Sequence, residues 1–219
     1  MHPDWQDDLH QYCEKHSSPE PELLQNLTAY TWRNTTNPRM LSGQLQGRFL
    51  AMMASLIKAE CILEIGTFTG YSALSLAEGL APNGVLHSIE ASAEMAWKAK
   101  QWVEKHPKKG QINIHAGEAL SVIPALQLQP DLIFVDADKQ QYAAYLDCCI
   151  PILKPGGLML FDNTLWSGRV LNEEDCLNDP DTRSMHAFNQ KVIQTSGVEV
   201  VLLPLRDGLT MVRKTFGSV

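Results

Sequence analysis

From Cys61 onward, short apolar runs alternate with amphipathic helical stretches. This alternation is typical of βαβ units, in which each strand of a parallel sheet is followed by a crossover helix. The predicted strands are Cys61–Ile65, Val85–Glu90, Ile112–His115, Leu132–Asp136, Leu158–Asp162, Val198–Leu203 and Leu209–Val212. The predicted helices are Ser72–Leu80, Ala93–Lys105, Leu120–Leu126, Tyr142–Leu153 and Thr182–Thr195. The pattern therefore predicts an α/β fold built on a doubly wound, seven-stranded sheet.

The last two predicted strands are joined by a turn of five residues, Pro-Leu-Arg-Asp-Gly. Because this turn is too short for a crossover, the last strand must be antiparallel. We expect the first strand near the middle of the sheet, where the strand order reverses. In sheets of this kind, ligands bind outside the carboxyl ends of the strands at that point.

Helices are predicted ahead of the sheet, so residues 1–58 form a helical cap on a core of residues 59–219 within one domain. One helix is expected to begin at Ser18-Pro19-Glu20, which has the order of an N-cap, a first-turn proline and an acid. A second is expected over about Gln44–Ile57. Its predicted inward-facing residues are Leu45, Phe49, Met52, Met53 and Leu56.

Composition excludes several classes of function. The net charge of −7 argues against nucleic-acid or anionic-membrane binding, both of which need a basic surface. The acidic start, Met1 to Asp8, is not expected to be a signal peptide, and no apolar run approaches the ~20 residues of a membrane helix. The five cysteines follow neither a zinc nor a disulfide pattern, which favours a reducing, cytoplasmic location.

Acidic side chains recur where the predicted parallel strands end. They are Glu64, Glu90, Asp136, Asp138 and Asp162. Each one alone could cap the following helix. Together on one edge of a sheet they would repel one another, so we expect positive or hydrogen-bond-donating groups among them.

Asp136, Asp162 and Asn163 form a set of oxygen donors. Two carboxylates and an amide suit magnesium, manganese or calcium better than zinc or copper, although an Asp-Asn cap after the strand is the alternative. Lys139 follows Asp136 by three residues and could reach the same site. A cation beside Lys139 would lower its pKa and make it a general base; otherwise it is a solvated lysine at a helix start.

The loop after the first strand, Glu64 to Ser72, contains two glycines but not the spacing of a dinucleotide fingerprint. Because it begins with an acid, it fits a ligand with a cationic group better than a pyrophosphate. Glu90, one strand further on, stands where such folds bind ribose hydroxyls. That position is compatible with S-adenosylmethionine (SAM) or with a nicotinamide cofactor.

Three motifs in this order resemble the cation-dependent O-methyltransferases, the family of the caffeoyl-CoA and catechol enzymes. They are Leu63-Glu64-Ile65-Gly66-Thr67-Phe68-Thr69-Gly70-Tyr71-Ser72, Phe134-Val135-Asp136-Ala137-Asp138-Lys139 and Asp162-Asn163-Thr164-Leu165-Trp166-Ser167-Gly168. The resemblance extends from about Ser18 to Lys214 and implies a Rossmann-like methyltransferase fold.

The resemblance also implies roles for individual residues. The cofactor-binding set for SAM would be Met40, Ser42, Glu64, Gly66, Thr67, Ser72, Glu90, Ala119, Asp136 and Asp138. The metal ligands would be Asp136, Asp162 and Asn163, and the catalytic residues Lys139 and Asp136. Trp166 and Lys139 would contact the substrate, a catechol-like aromatic diol that could be a CoA ester. Gln46 stands where many relatives have glutamate and receives no role.

The implied mechanism is methyl transfer from SAM to a hydroxyl activated by Mg²⁺, with Mn²⁺ or Ca²⁺ as other options. Three other hypotheses remain open at this point. They are a cation-independent small-molecule methyltransferase, a nicotinamide-dependent oxidoreductase and a non-catalytic binding module. Family members often pair, so a homodimer is also expected.

Overall fold

The computed structural model describes the backbone of residues 5–217 and the side chains of residues 8–217. The first four residues, on which part of the signal-peptide expectation falls, lie outside this range. The helices are α1 (Trp5–Lys15), α2 (Glu22–Asn34), α3 (Gly43–Leu56), α4 (Tyr71–Glu78), α5 (Ala93–Val103), α6 (Ala119–Leu126), α7 (Tyr142–Ile152), α8 (Glu173–Asn178) and α9 (Pro180–Gln194). The strands are β1 (Cys61–Ile65), β2 (Val85–Glu90), β3 (Ile112–Ala116), β4 (Leu132–Val135), β5 (Leu158–Asp162), β6 (Val198–Leu203) and β7 (Leu209–Lys214).

These strands form one sheet in the order β3-β2-β1-β4-β5-β7-β6. The neighbouring pairs among β1 to β5 are parallel, whereas β7 is antiparallel to both β5 and β6. The prediction of a seven-stranded, doubly wound sheet with an antiparallel last strand is confirmed. The strand order reverses between β1 and β4, where Ile65 pairs with Val135. The loops after these two strands therefore leave the sheet side by side.

The central strands are buried on both faces, as expected for a parallel sheet covered by helices. In β4, Leu132 and Phe134 belong to the apolar cluster on one face, and Ile133 and Val135 to the cluster on the other. Residues from α2 to α5 complete the first cluster, and residues from α6, α7 and α9 complete the second. Alternation along each strand thus supplies two cores from a single run of apolar residues.

The start of α2 and the presence of two further helices differ from expectation. Helix α2 begins at Glu22, after Pro21, and not at the Ser18 cap. Glu20 precedes Pro21, and a residue before proline is disfavoured in helical geometry. Helices α1 and α8 were not predicted.

The buried face of α3 also differs from expectation. Met52 and Leu56 are 59% and 68% exposed, whereas Gln46, Gly47, Leu50 and Ala54 are buried. A Cβ at Gly47 would lie 2.8 Å from Ser75 Oγ of α4. Helix α3 therefore packs through its small residues, which let the two helices approach closely.

Within residues 5–217, no helix is long and apolar enough to cross a bilayer. All five cysteines are free thiols. Cys149 is buried and Cys148 is half-buried.

Candidate active site

A cleft of about 590 Å³ opens at the carboxyl ends of β1, β4 and β5, with one wall from the segment before α3. It is lined by most of the predicted site residues: Met40, Ser42, Gly66, Thr67, Ser72, Asp136, Lys139, Asp162, Asn163 and Trp166. Four predicted residues lie outside its lining: Glu64, Glu90, Ala119 and Asp138. The topology thus brings together residues that are far apart in the chain.

Gly66 joins the loops that follow β1 and β4. Its φ is +96°, and a Cβ there would lie 1.9 Å from the carbonyl oxygen of Asp136. The Gly66 amide donates to Ile89 O at 2.9 Å, and the Asp136 amide donates to Ile65 O at 2.8 Å. Only glycine allows this approach, which holds Asp136 next to the glycine loop.

Glu64 is completely buried beside that loop. Its Oε2 accepts a hydrogen bond from Ser88 Oγ, which is also hydrogen-bonded to Thr67 Oγ1. Its Oε1 has no hydrogen-bond partner among the described residues. Burial raises the pKa of Glu64 to about 7, although the nearby hydroxyls of Ser72 and Ser88 oppose this rise. The site thus contains a buried acceptor oxygen that lacks a donor.

Glu90 braces the glycine loop. Its Oε2 accepts from the backbone amides of Phe68 at 2.7 Å and Thr67 at 3.2 Å, and its Oε1 accepts from Ser92 at 2.9 Å. Its predicted contact with ribose hydroxyls stays a prediction. Ala119 is buried at the first position of α6.

Asp138 is exposed and accepts hydrogen bonds from Gln140 N at 3.1 Å and Gln141 Nε2 at 3.0 Å. It therefore caps the single helical turn that starts at Lys139. Its predicted place near the cofactor remains untested.

Asp162 ends β5 with its side chain almost fully buried. Its Oδ1 accepts from the Asn163 amide at 2.8 Å, and its Oδ2 accepts from Gln46 Nε2 at 2.8 Å. Arg206 Nη1 lies 3.9 Å from the same Oδ2. Burial and the charge of Asp136 raise the pKa of Asp162 to about 6, although Arg206 and Gln46 act in the opposite direction. The two carboxylates therefore face the same cleft closely enough to repel each other.

Lys139 joins Asp136 to the buried phenol of Tyr142. Its Nζ donates to Asp136 Oδ1 at 2.8 Å and to Tyr142 Oη at 2.9 Å. Tyr142 in turn donates to the Asp162 carbonyl at 2.9 Å. Burial alone would lower the pKa of Lys139, but Tyr142 and Asp136 outweigh it and raise the pKa above the ordinary lysine value. The protein groups thus favour an ammonium, which is opposite to the lowered pKa that we expected beside a cation.

The sequence is similar to that of a known protein family. Residues 14–215 match the profile of a family described as O-methyltransferase. The caffeoyl-CoA O-methyltransferase 1 of Zea mays is 33% identical over 95% of this chain and 85% of its own length. The chain belongs to the O-methyltransferase family. This membership confirms the resemblance read from the three motifs and decides against an oxidoreductase.

Solved structures of other methyltransferases are also similar to this chain. SAH-bound methyltransferase PaMTH1 of Podospora anserina has a TM-score of 0.90 and 27% identity, covering 98% of this chain and 97% of its own. The O-methyltransferase TomG of Streptomyces achromogenes, in complex with SAM, has a TM-score of 0.89 and 27% identity, covering 98% of this chain and 100% of its own. The shared fold extends over nearly the entire chain of this O-methyltransferase.

Three residues at this site, of which only Arg206 lines the cleft, were not assigned a role from the sequence. Gln46 and Tyr142 contact Asp162, and Arg206 contacts Gln46 at 2.6 Å. Tyr142 had a weak signal, because it follows the Asp136 motif by one helical turn. Gln46 and Arg206 are 160 residues apart, and no local pattern connects them.

Proposed function

We propose that this O-methyltransferase moves the methyl group of SAM to one hydroxyl of a catechol-like aromatic diol, with a divalent cation held by Asp136, Asp162 and Asn163. Mg²⁺ is the first choice, with Mn²⁺ or Ca²⁺ as other options. The observation that carries the proposal is the meeting of these three side chains in one cleft beside the Gly66 loop.

The chemistry of the donor set supports a cation. All three donors are oxygens, and burial together with the charge of Asp136 raises the pKa of Asp162 despite the nearby Arg206 and Lys139, so a bound cation would stabilise the ionised form. Within residues 5–217, no cluster of three histidine, cysteine or carboxylate side chains forms a metal site, which leaves the amide of Asn163 as the third donor. When bound there, a divalent cation supplies Lewis acidity that lowers the pKa of a coordinated hydroxyl.

The unpartnered Oε1 of Glu64 supports SAM as the methyl donor. A buried acceptor without a donor is costly, and the ammonium of SAM's methionine moiety would satisfy it. Gly66, Thr67 and Ser72 would border the same moiety, with Met40 and Ser42 covering it. Glu90, Ala119 and Asp138 complete the proposed set around the ribose and adenine. The SAM and SAH named in the two structural relatives favour this assignment.

Lys139 acts in this proposal as an ammonium. Its hydrogen bonds to Asp136 and Tyr142 hold the charged group in the cleft, where it stabilises the oxygen anion of the acceptor. That oxygen attacks the methyl carbon in line, and the carbon–sulfur bond breaks, which leaves a neutral thioether. The proton of the hydroxyl goes to solvent or to a group in the cleft. Positioning of the two reactants supplies much of the rate.

The acceptor is proposed as a vicinal dihydroxy aromatic molecule, free or as a CoA ester. Trp166 and the 57%-exposed Met40 are the candidate walls for its ring. The name of the maize relative supports a CoA ester among the acceptors. A cleft of about 590 Å³ falls within the range of sites that enclose small molecules.

A cation-independent methyltransferase is the second candidate, and one observation favours it. Gln46 donates to Asp162 at 2.8 Å, and Arg206 lies 3.9 Å away, so protein groups already offset part of this carboxylate's charge. In that case Asp162 and Asn163 serve the structure only. Loss of methyl transfer on addition of a chelator would distinguish the cation-dependent candidate from the cation-independent one.

The remaining parts of the proposal concern the whole protein. We propose one methyltransferase domain, with residues 1–58 as a cap, that acts in the cytoplasm as a homodimer and binds neither nucleic acid nor membrane. Trp32, Met52 and Leu56 are exposed apolar side chains on the amino-terminal helices and are candidates for the surface between the two protomers. Light scattering on the purified protein measures the mass; a monomeric mass would contradict the dimer.

The acceptor is tested by incubation with labelled SAM, Mg²⁺ and matched aromatics. We expect 3,4-dihydroxy compounds to be methylated, because two neighbouring oxygens can share one cation. Their 3-hydroxy counterparts serve as controls and should react at least about a hundredfold more slowly. Each acceptor is offered both as an acid and as a CoA thioester. Equal rates with one or two hydroxyls would contradict the proposed substrate class.

A further inference from the structure

Arg206 enters the cleft from the turn between β6 and β7. Its φ is +50°, a conformation that a side chain adopts only at some cost, so the backbone geometry itself does not explain an arginine here. Its Nη1 donates to Gln46 Oε1 at 2.6 Å, and its Nη2 donates to Leu41 O at 3.0 Å. The guanidinium is therefore anchored at two points, with a single orientation against the cleft wall.

Gln46 lies between Arg206, which can only donate hydrogen bonds, and the Asp162 carboxylate, which can only accept them. Because a guanidinium can only donate, the amide oxygen must face Arg206, and the amide nitrogen is left for Asp162 Oδ2 at 2.8 Å. Gln46 is 1% exposed, so water cannot readily replace either contact. Two hydrogen bonds therefore link the three side chains in a chain from Arg206 through Gln46 to Asp162.

The guanidinium also acts directly on the charge of Asp162. Its Nη1 lies 3.9 Å from Asp162 Oδ2, in a part of the protein where that carboxylate is 1% exposed. Charges at such distances interact strongly when they are shielded from water. The carboxylate pair thus presents less negative charge to an incoming cation than Asp136 and Asp162 would by themselves.

We propose that Arg206 is a positioning residue that weakens divalent-cation binding at Asp162 through its charge, while Gln46 keeps the carboxylate in place. This inference rests on the proposed cation site. It predicts the direction of a change in affinity: removal of the charge at position 206 strengthens cation binding. A guanidinium that only held the turn in place would have the opposite effect on removal.

The test is calorimetric titration of Mn²⁺ into the metal-free protein without acceptor. We expect Arg206→Met to bind Mn²⁺ roughly tenfold more tightly, because an adjacent positive charge is lost. Arg206→Lys keeps the charge and loses the two-point anchor, so its affinity should stay within about threefold of the wild type. Arg206→Gln also removes the charge but keeps a polar amide at this position, so it should tighten binding by roughly tenfold as well.

Arg213→Met is the matched control, because it removes a positive charge from an exposed pair with Glu199. It should leave the Mn²⁺ affinity unchanged. Thermal melts establish that each variant folds, and Arg206→Gln serves as an independent arm if Arg206→Met does not. Unchanged or weaker Mn²⁺ binding in the folded charge-removing variants, Arg206→Met and Arg206→Gln, overturns the inference. A wild-type protein that binds no Mn²⁺ overturns the proposed cation site itself.

Discussion

Glu64 is a carboxylate held entirely inside the protein at a cost in stability. Its pKa is raised from the ordinary glutamate value of 4.5 to about 7, chiefly by burial. A raised pKa means that the folded protein binds this proton more tightly than the unfolded chain. The stabilising contribution is therefore complete at low pH and is lost as the pH rises from about 4.5 through 7. Retention of such a residue fits a role in binding a cationic ligand.

Glu64→Gln removes this titration. We expect the variant to gain stability relative to the wild type between pH 5 and pH 8, by on the order of 3 kcal/mol. Urea unfolding of the cofactor-free proteins at both pH values measures the difference. Glu104→Gln, at a side chain that is 69% exposed, is the control and should show no such trend. An equal stability difference at both pH values for Glu64→Gln argues against the buried charge.

Lys139 is expected to act on the reaction and not on cofactor binding. Lys139→Ala should lower kcat by about a hundredfold or more, because a positioned charge next to the developing oxygen anion is lost. The Kd for SAM should change by less than about threefold. Lys139→Arg, which keeps the charge, should retain more activity than Lys139→Ala. A variant with normal kcat and weak SAM binding would assign Lys139 to the cofactor site.

Among the elements, the strands were predicted more accurately than the helices. A buried parallel strand is a short apolar run between turn signals, and β1, β2 and β5 have the predicted limits. Helix α3 shows why faces are harder to predict. Its exposed Met52 and Leu56 are apolar, while the face that packs on α4 is made of small residues such as Gly47. Periodicity finds an apolar face, but the neighbouring helix decides which side is covered.

The loops after β1 and β4 contact each other where Gly66 meets the Asp136 carbonyl, and this contact leaves no room for a side chain. Gly66→Ala places a Cβ where the Asp136 carbonyl lies 1.9 Å away, at a positive φ. We expect a loss of about 3 kcal/mol or more in unfolding free energy, together with weakened SAM binding.

Gly110→Ala is the matched control, because a Cβ there meets nothing within 4 Å. Its unfolding free energy should change by less than about 0.5 kcal/mol. Chemical denaturation and SAM titration measure both effects. Normal stability and SAM affinity in Gly66→Ala would show that the two loops can separate freely.

On the scale of the whole molecule, topology gathers the cleft. Because β1 and β4 are neighbours at the reversal of strand order, the ends of distant strands meet at one edge. Because strand ends can be predicted from a sequence, it was also possible to predict that Asp136, Asp162 and Asn163 lie at the same edge of the sheet. The hydrogen bond from Arg206 to Gln46 could not be predicted, because it joins a turn to a helix 160 residues away. Side-chain contacts of that kind depend on packing that no local pattern encodes.

Methyl transfer by this protein is proposed to need a divalent cation at Asp136, Asp162 and Asn163. The most direct measurement is the transfer rate from labelled SAM to a 3,4-dihydroxy aromatic acceptor before and after treatment with chelator. A cation requirement predicts that chelator abolishes transfer, that Mg²⁺ or Mn²⁺ restores it, and that Asp162→Ala stays inactive while folded. A rate that is unchanged by chelator, or normal turnover by Asp162→Ala, would contradict it.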